Sequence, residues 1–113
     1  MPYMKIQTNA PVEDASALAS RASKFLSDQL GKPEQYIMIA VEPVETLLFA
    51  GSPETAVFAE IKSIGLPESK TTALSEAVCG FLGSELGVAA DRVYIEFTDA
   101  PRAMWGWNNR TFA

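Results

Sequence analysis

Histidine is absent from the 113 residues and cysteine occurs once, as Cys79. Those two shortages exclude a Ser-His-Asp or Cys-His nucleophile, a zinc centre of Cys and His, and an internal disulfide. Apolar stretches are short and interrupted, and the start of the chain lacks the basic and apolar regions of a signal peptide. A chain made in the cytosol is therefore expected, with no membrane partner; the expected compartment is cytoplasmic, and secretion by a non-classical route stays open. There is no run of Lys or Arg, and the formal charge is −5, so no nucleic-acid partner is expected. Any catalysis has to use other groups, and no metal or organic cofactor is expected.

What is present is apolar matter arranged twice. At 113 residues and 48% hydrophobic content, the chain is long enough for one domain, residues 1–113, with apolar surface to spare for a partner subunit. Pro11 matches Pro67, Leu18 matches Leu74, Ala22 matches Val78, Phe25 matches Phe81, Leu26 matches Leu82, Leu30 matches Leu86 and Gly31 matches Gly87, each pair 56 positions apart. Past the glycines the offset becomes 58, pairing Tyr36-Ile37 with Tyr94-Ile95 and Pro43 with Pro101. The chain is a doubled unit, with pseudo-repeats at approximately 2–55 and 56–113.

Each unit reads as β-α-β. Leu18, Ala22, Phe25, Leu26 and Leu30 form one apolar stripe of a helix, and Gly31 supplies a left-handed stop. The second helix is expected from about Glu68 to Leu86, ending at Gly87. Extended runs rich in Ile, Val, Tyr and Phe lie before the helices (Pro2 to Thr8; Ala56 to Ile64) and after them (Tyr36 to Glu42; Arg92 to Thr98). Right-handed crossovers make the strands of a unit parallel, so the fold class is α+β: a tandem β-α-β repeat forming a four-stranded mixed sheet with two helices on one face. Because Ile6, Ile37, Ile39, Ile61, Val93 and Ile95 cannot all be left open to water, the bare faces are expected to pack together around a common axis.

The chain opens Met1-Pro2, a start from which the initiator methionine is ordinarily removed, leaving a secondary amine. Many chains begin this way for no reason but efficient processing. An α-amino group nevertheless titrates at about 7.7–8.0, and burial beside a second cation lowers it further. A base poised near ~7 is what proton abstraction beside a carbonyl requires.

Six ordered segments point the same way as that proline. Thr8-Asn9-Ala10-Pro11, Gly31-Lys32-Pro33 with Gln35-Tyr36-Ile37, Ser63-Ile64-Gly65, Asp91-Arg92-Val93-Tyr94-Ile95, the tail Gly106 to Ala113 and Pro2 itself together resemble the macrophage migration inhibitory factor family of the tautomerase superfamily. The resemblance spans the whole chain. It implies a homotrimer of tandem β-α-β units that interconverts keto and enol forms of phenylpyruvate-like 2-oxo acids at sites between subunits. It also implies that Pro2 is the general base and that Lys32 holds the substrate carboxylate. By the same resemblance, Ile64 would provide a backbone contact, Tyr36, Trp107 and Phe112 an aromatic wall, and Tyr94 a pocket residue lent by the neighbouring subunit. Taken singly, Lys32 after a helix-ending glycine also reads as a solvated cap, and the aromatics as ordinary core residues.

Departures from the family pattern fall in and around the pocket. Glu96 stands where the family commonly has Asn, and Trp105 where it often has a small aliphatic residue, changing the charge and size of the site. Lys62 replaces a histidine and would offset part of the Glu96 charge if the two were close. The family's Cys-x-x-Cys falls on Ala56 and Ala59, so thiol–disulfide activity should be absent. Receptor-contacting Arg and Asp fall on Val12 and Val44, which argues against receptor binding of the cytokine type. The leading expectation is a tautomerase; the alternatives are a non-catalytic signalling or binding protein, and a trimeric scaffold with a relic pocket.

Overall fold

The computed structural model describes residues 1–113. Strand β1 (Tyr3–Thr8) leads into helix α1 (Ala15–Leu30). The Asp14 carboxylate accepts the Ala17 N–H at 3.0 Å to cap the helix start, and Gly31 at φ 63° turns the chain out of the helix. Strand β2 (Met38–Pro43) closes the first unit. The second runs through β3 (Val57–Ser63), α2 (Thr71–Leu86) and β4 (Val93–Asp99), and Gly87 at φ 69° ends α2 as Gly31 ends α1. Helix α2 begins three residues later than Glu68, the expected start. Pro67 is extended, and Glu68–Lys70 form one tight turn closed by the Thr71 hydroxyl on the Glu68 carbonyl at 2.8 Å.

The sheet order is β2-β1-β3-β4, with β1 parallel to β2, β3 parallel to β4, and the two central strands antiparallel. This is the expected mixed sheet, and both helices lie on one face. Leu18, Ala22 and Leu26 of α1 and Leu74, Val78 and Leu82 of α2 are buried, the three pairs related by 56 positions. Phe25 stacks on Phe81 with centroids 4.5 Å apart, so the repeat meets itself between the helices. The central strands add Met4, Ile6, Val57, Ala59 and Ile61 to this core, and Ala10, Leu66 and Val88 from the connections complete it. No buried side-chain nitrogen or oxygen lacks a partner: the Thr8 hydroxyl, for one, donates to the Ala56 carbonyl at 2.7 Å.

The second face of the sheet differs from the expectation. Ile6 and Ile61 are buried in the core, and Ile37, Ile39, Val93 and Ile95 pack against it, all on the helix side. Strand alternation then turns Tyr3, Lys5 and Gln7, Phe58, Glu60 and Lys62, and Tyr94, Glu96 and Thr98 to the bare side. Lys5 lies 3.7 Å from Glu42 and 3.4 Å from Glu60, Lys62 lies 3.8 Å from Glu60, and Gln7 donates to Glu42 at 2.7 Å. A self-neutralising ladder of charges covers this face, so the argument for association from stranded isoleucines does not hold.

A tight hairpin and a pinned loop lie outside the four-stranded sheet. After Asp99 the tail forms a hairpin of β5 (Gly106–Trp107) and β6 (Arg110–Thr111) around Asn108 and Asn109, at φ 53° and 64°. Two successive left-handed residues make the turn whose twist matches a hairpin, and asparagine tolerates that conformation better than most residues. The segment between β2 and β3 is held from both sides. The Asn9 amide donates to the Leu47, Pro53 and Glu54 carbonyls at 3.3, 3.1 and 3.3 Å. The Arg92 guanidinium donates to Phe49, Ser52, Glu54 and Thr55 at 2.7, 3.1, 2.9 and 3.3 Å and lies over the Phe49 ring.

Candidate active site

Pro2 stands immediately before β1, less than 2% exposed. Its carbonyl accepts the Met38 N–H at 3.0 Å, which ties the chain start to the β2 edge. A cavity of about 300 Å³ opens beside it, lined by Met1, Pro2, Tyr36, Met38, Trp105, Trp107 and Phe112 among others. Three of the aromatics form a continuous wall: Tyr36 meets Trp107 edge-on at 6.3 Å, and Trp107 stacks on Phe112 at 5.8 Å and 9°. The Phe112 N–H donates to the Trp105 carbonyl at 3.2 Å, so the C-terminal hairpin carries both indoles and the Phe112 ring to the cavity as one piece. Such a pocket favours a flat apolar group.

Lys32 and Ile64, predicted partners in one site, are in direct contact. The Lys32 backbone is fixed by its N–H on the Ser27 carbonyl at 3.2 Å and by the Ser27 hydroxyl on its own carbonyl. Its ammonium then reaches the Ile64 carbonyl of the second repeat at 2.9 Å. A plain helix cap would leave that ammonium on water or on the carbonyls of α1. Neither residue lines the Pro2 cavity itself, yet the Met1 amino group senses Lys32: burial first, and then the Lys32 charge, hold it below its ordinary value.

Tyr94 and Glu96 are not brought to this cavity within one chain. They sit two residues apart on the bare face of β4, an outer strand two strand spacings, about 10 Å, beyond β1. Tyr94 is 63% exposed and leans on Phe49 at 4.5 Å. Glu96 is exposed, and Lys62 is paired with Glu60 rather than with it. Met38 is a cavity residue that sequence reasoning missed. Its signal was available: with Ile37 and Ile39 turned to the core, the residue between them must face the opposite side, beside Tyr3.

Comparison with known proteins agrees with this architecture. Residues 1–113 match the sequence model of the family described as macrophage migration inhibitory factor (MIF). The chain is 34% identical over 115 residues to macrophage migration inhibitory factor of Meriones unguiculatus, covering 100% of both chains. It is 35% identical over 114 residues to the homologue from Brugia malayi, covering 99% of each. The crystal structure of the homologue from Prochlorococcus marinus superposes with a TM-score of 0.91 at 42% identity, over 98% of this chain and 99% of that one. The chain belongs to the macrophage migration inhibitory factor family, whose members share a tautomerase-type fold. No helix in it is long and apolar enough to cross a membrane.

Proposed function

We propose that this protein is a keto–enol tautomerase for phenylpyruvate-like 2-oxo acids, with the nitrogen of Pro2 as general base once Met1 is removed. The observation that carries the reading is a fully buried Pro2 on an aromatic cavity, next to a Met1 amine that burial first and the Lys32 charge second hold below its ordinary value. The neutral amine takes a proton from the carbon next to the ketone. The C–H electron pair becomes the carbon–carbon double bond, and the ketone oxygen, now bearing the charge, takes a proton from water to give the enol, while the Pro2 ammonium gives its proton back to the hydroxide so formed; ketonisation reverses each transfer. Lys32 receives the carboxylate, the wall of Tyr36, Trp107 and Phe112 receives the aryl ring, and Ile64 contributes through its backbone. Exclusion of water by that wall keeps the amine neutral.

The active unit in this reading is a homotrimer. Tyr94 and Glu96 would enter the site from a neighbouring chain, since their strand lies at the opposite edge of the sheet from the cavity. A carboxylate at position 96 would then repel the substrate acid and raise the amine pKa, setting this protein apart from relatives with an uncharged residue there. Trp105 narrows the same pocket. A receptor ligand of the cytokine type is the rival reading, and uncharged Val12 and Val44 speak against it.

The test is the rate of phenylpyruvate enol ketonisation, followed by ultraviolet absorbance, in the clipped protein and in Pro2→Gly. Glycine keeps an amine and loses the ring. A fall in kcat/KM of at least about tenfold is expected, within the range general-base catalysis supplies, and an unchanged rate would remove Pro2 from the reaction.

A further inference from the structure

The carbonyl that receives Lys32 belongs to the turn after β3, and that turn is anchored by the last residue of β4. Asp99 Oδ1 accepts the N–H groups of Gly65 at 2.9 Å and Leu66 at 3.1 Å. One position on, the Ala100 N–H donates to the Ser63 carbonyl at 2.9 Å. Gly65 at φ +74° lets two successive N–H groups converge on a single oxygen, a conformation in which a side chain is strained. The peptide units on both sides of Ile64 are therefore fixed by β4. The direction of the Ile64 carbonyl follows, and with it the place where the Lys32 ammonium rests, 2.9 Å away.

We propose that Asp99 is a positioning residue for carboxylate binding: by holding the 63–66 turn it sets the Ile64 carbonyl, which sets Lys32. This deepens the tautomerase reading and rests on it for its kinetic consequence. The role asks for an acceptor oxygen at one point and not for a charge. Asparagine, whose side-chain oxygen can take the same two N–H groups, should replace it. Alanine should not, and glutamate, which pushes the oxygen outward by one methylene, should not either.

Steady-state kinetics on phenylpyruvate of the clipped protein, Asp99→Ala, Asp99→Glu, Asp99→Asn, Lys32→Ala and the Lys32→Ala, Asp99→Ala double variant test this. Asp99→Ala and Asp99→Glu are expected to raise KM by about fivefold or more with kcat within about twofold, and Asp99→Asn to stay within about twofold in both. On the Lys32→Ala background, Asp99→Ala should change KM by less than about twofold, because the two residues act through one contact. An unchanged KM in both Asp99→Ala and Asp99→Glu, or a full effect retained without Lys32, overturns the proposal. An unsubstituted clipped protein without activity would sink the tautomerase reading instead. The Asp99 role is then decided by the ¹³C resonance of reductively methylated Lys32. A shift in Asp99→Ala or Asp99→Glu that reverts in Asp99→Asn supports it, and one position in all the variants overturns it.

Discussion

At the start of the chain two effects act in the same direction. Burial disfavours the charged Met1 amine, and the Lys32 ammonium repels it; the Pro2 amine freed by clipping, one residue further in, is expected to feel both in the same sense. Only the neutral amine can abstract a proton. For the clipped protein kcat/KM should therefore rise with pH through the amine pKa and level off above it. Lys32→Ala removes one of the two depressing influences; the amine pKa rises, and the acidic limb of the profile moves to higher pH. The same variant should raise KM for phenylpyruvate about tenfold and lower kcat less, as loss of a contact made equally in ground and transition states does. A limb and a KM that both stay in place would remove Lys32 from the site. Pro2 was legible as a chemical group because an α-amine is the one titrating group near neutrality in a chain without histidine. Lys32 was legible through family resemblance alone, since the contact that separates it from a helix cap is with Ile64, 32 residues away in the second repeat.

Elements were read best where one face had to be apolar. The stripes of both helices repeat at an offset of 56, and Ile37 with Ile95 at 58, because both copies pack into one core, and the Phe25–Phe81 stack is where the repeat touches itself. The bare face of the sheet was not legible, because composition counts isoleucines without saying which way each strand turns them. Nor was the part played by Arg92, which the sequence shows only as a member of the Asp91–Ile95 segment. Its guanidinium serves four carbonyls of the segment between β2 and β3 and covers Phe49, on which Tyr94 leans. A guanidinium fork, with five donors, can serve four acceptors at once, and an ammonium, with three, cannot. Arg92→Lys should then cost about 1–3 kcal/mol in urea unfolding at fixed protein concentration, the scale of losing partners for buried polar groups, and should speed amide exchange in residues 47–55. Unchanged stability and exchange would mean that Asn9 alone holds the segment.

For the whole molecule, the charged face decides what association can look like. Lys5 and Lys62 balance Glu42 and Glu60 within the sheet, so the ladder can be covered without stranding a charge, and Glu96 is left outside it. Exposed pairs of this kind contribute about 0–1 kcal/mol each. They permit assembly and do not drive it. A site drawing on opposite edges of the sheet still requires more than one chain. Light scattering at assay concentration should give three times the 12.2 kDa chain mass, with activity confined to that species. An active monomer would contradict a shared site and return Tyr94 and Glu96 to ordinary surface roles.

The proposed chemistry stands on one atom, the Pro2 nitrogen, which is a basic amine after Met1 is removed and a non-basic amide while Met1 is attached. Met1 also lines the cavity, so its removal enlarges the space beside the Pro2 nitrogen. The most direct measurement compares phenylpyruvate tautomerisation by two preparations whose masses are verified to differ by that one methionine. The clipped form should be active, and the Met1-retaining form slower by about a hundredfold or more, the scale on which general-base catalysis operates. Equal rates in the two preparations would contradict Pro2 as the base.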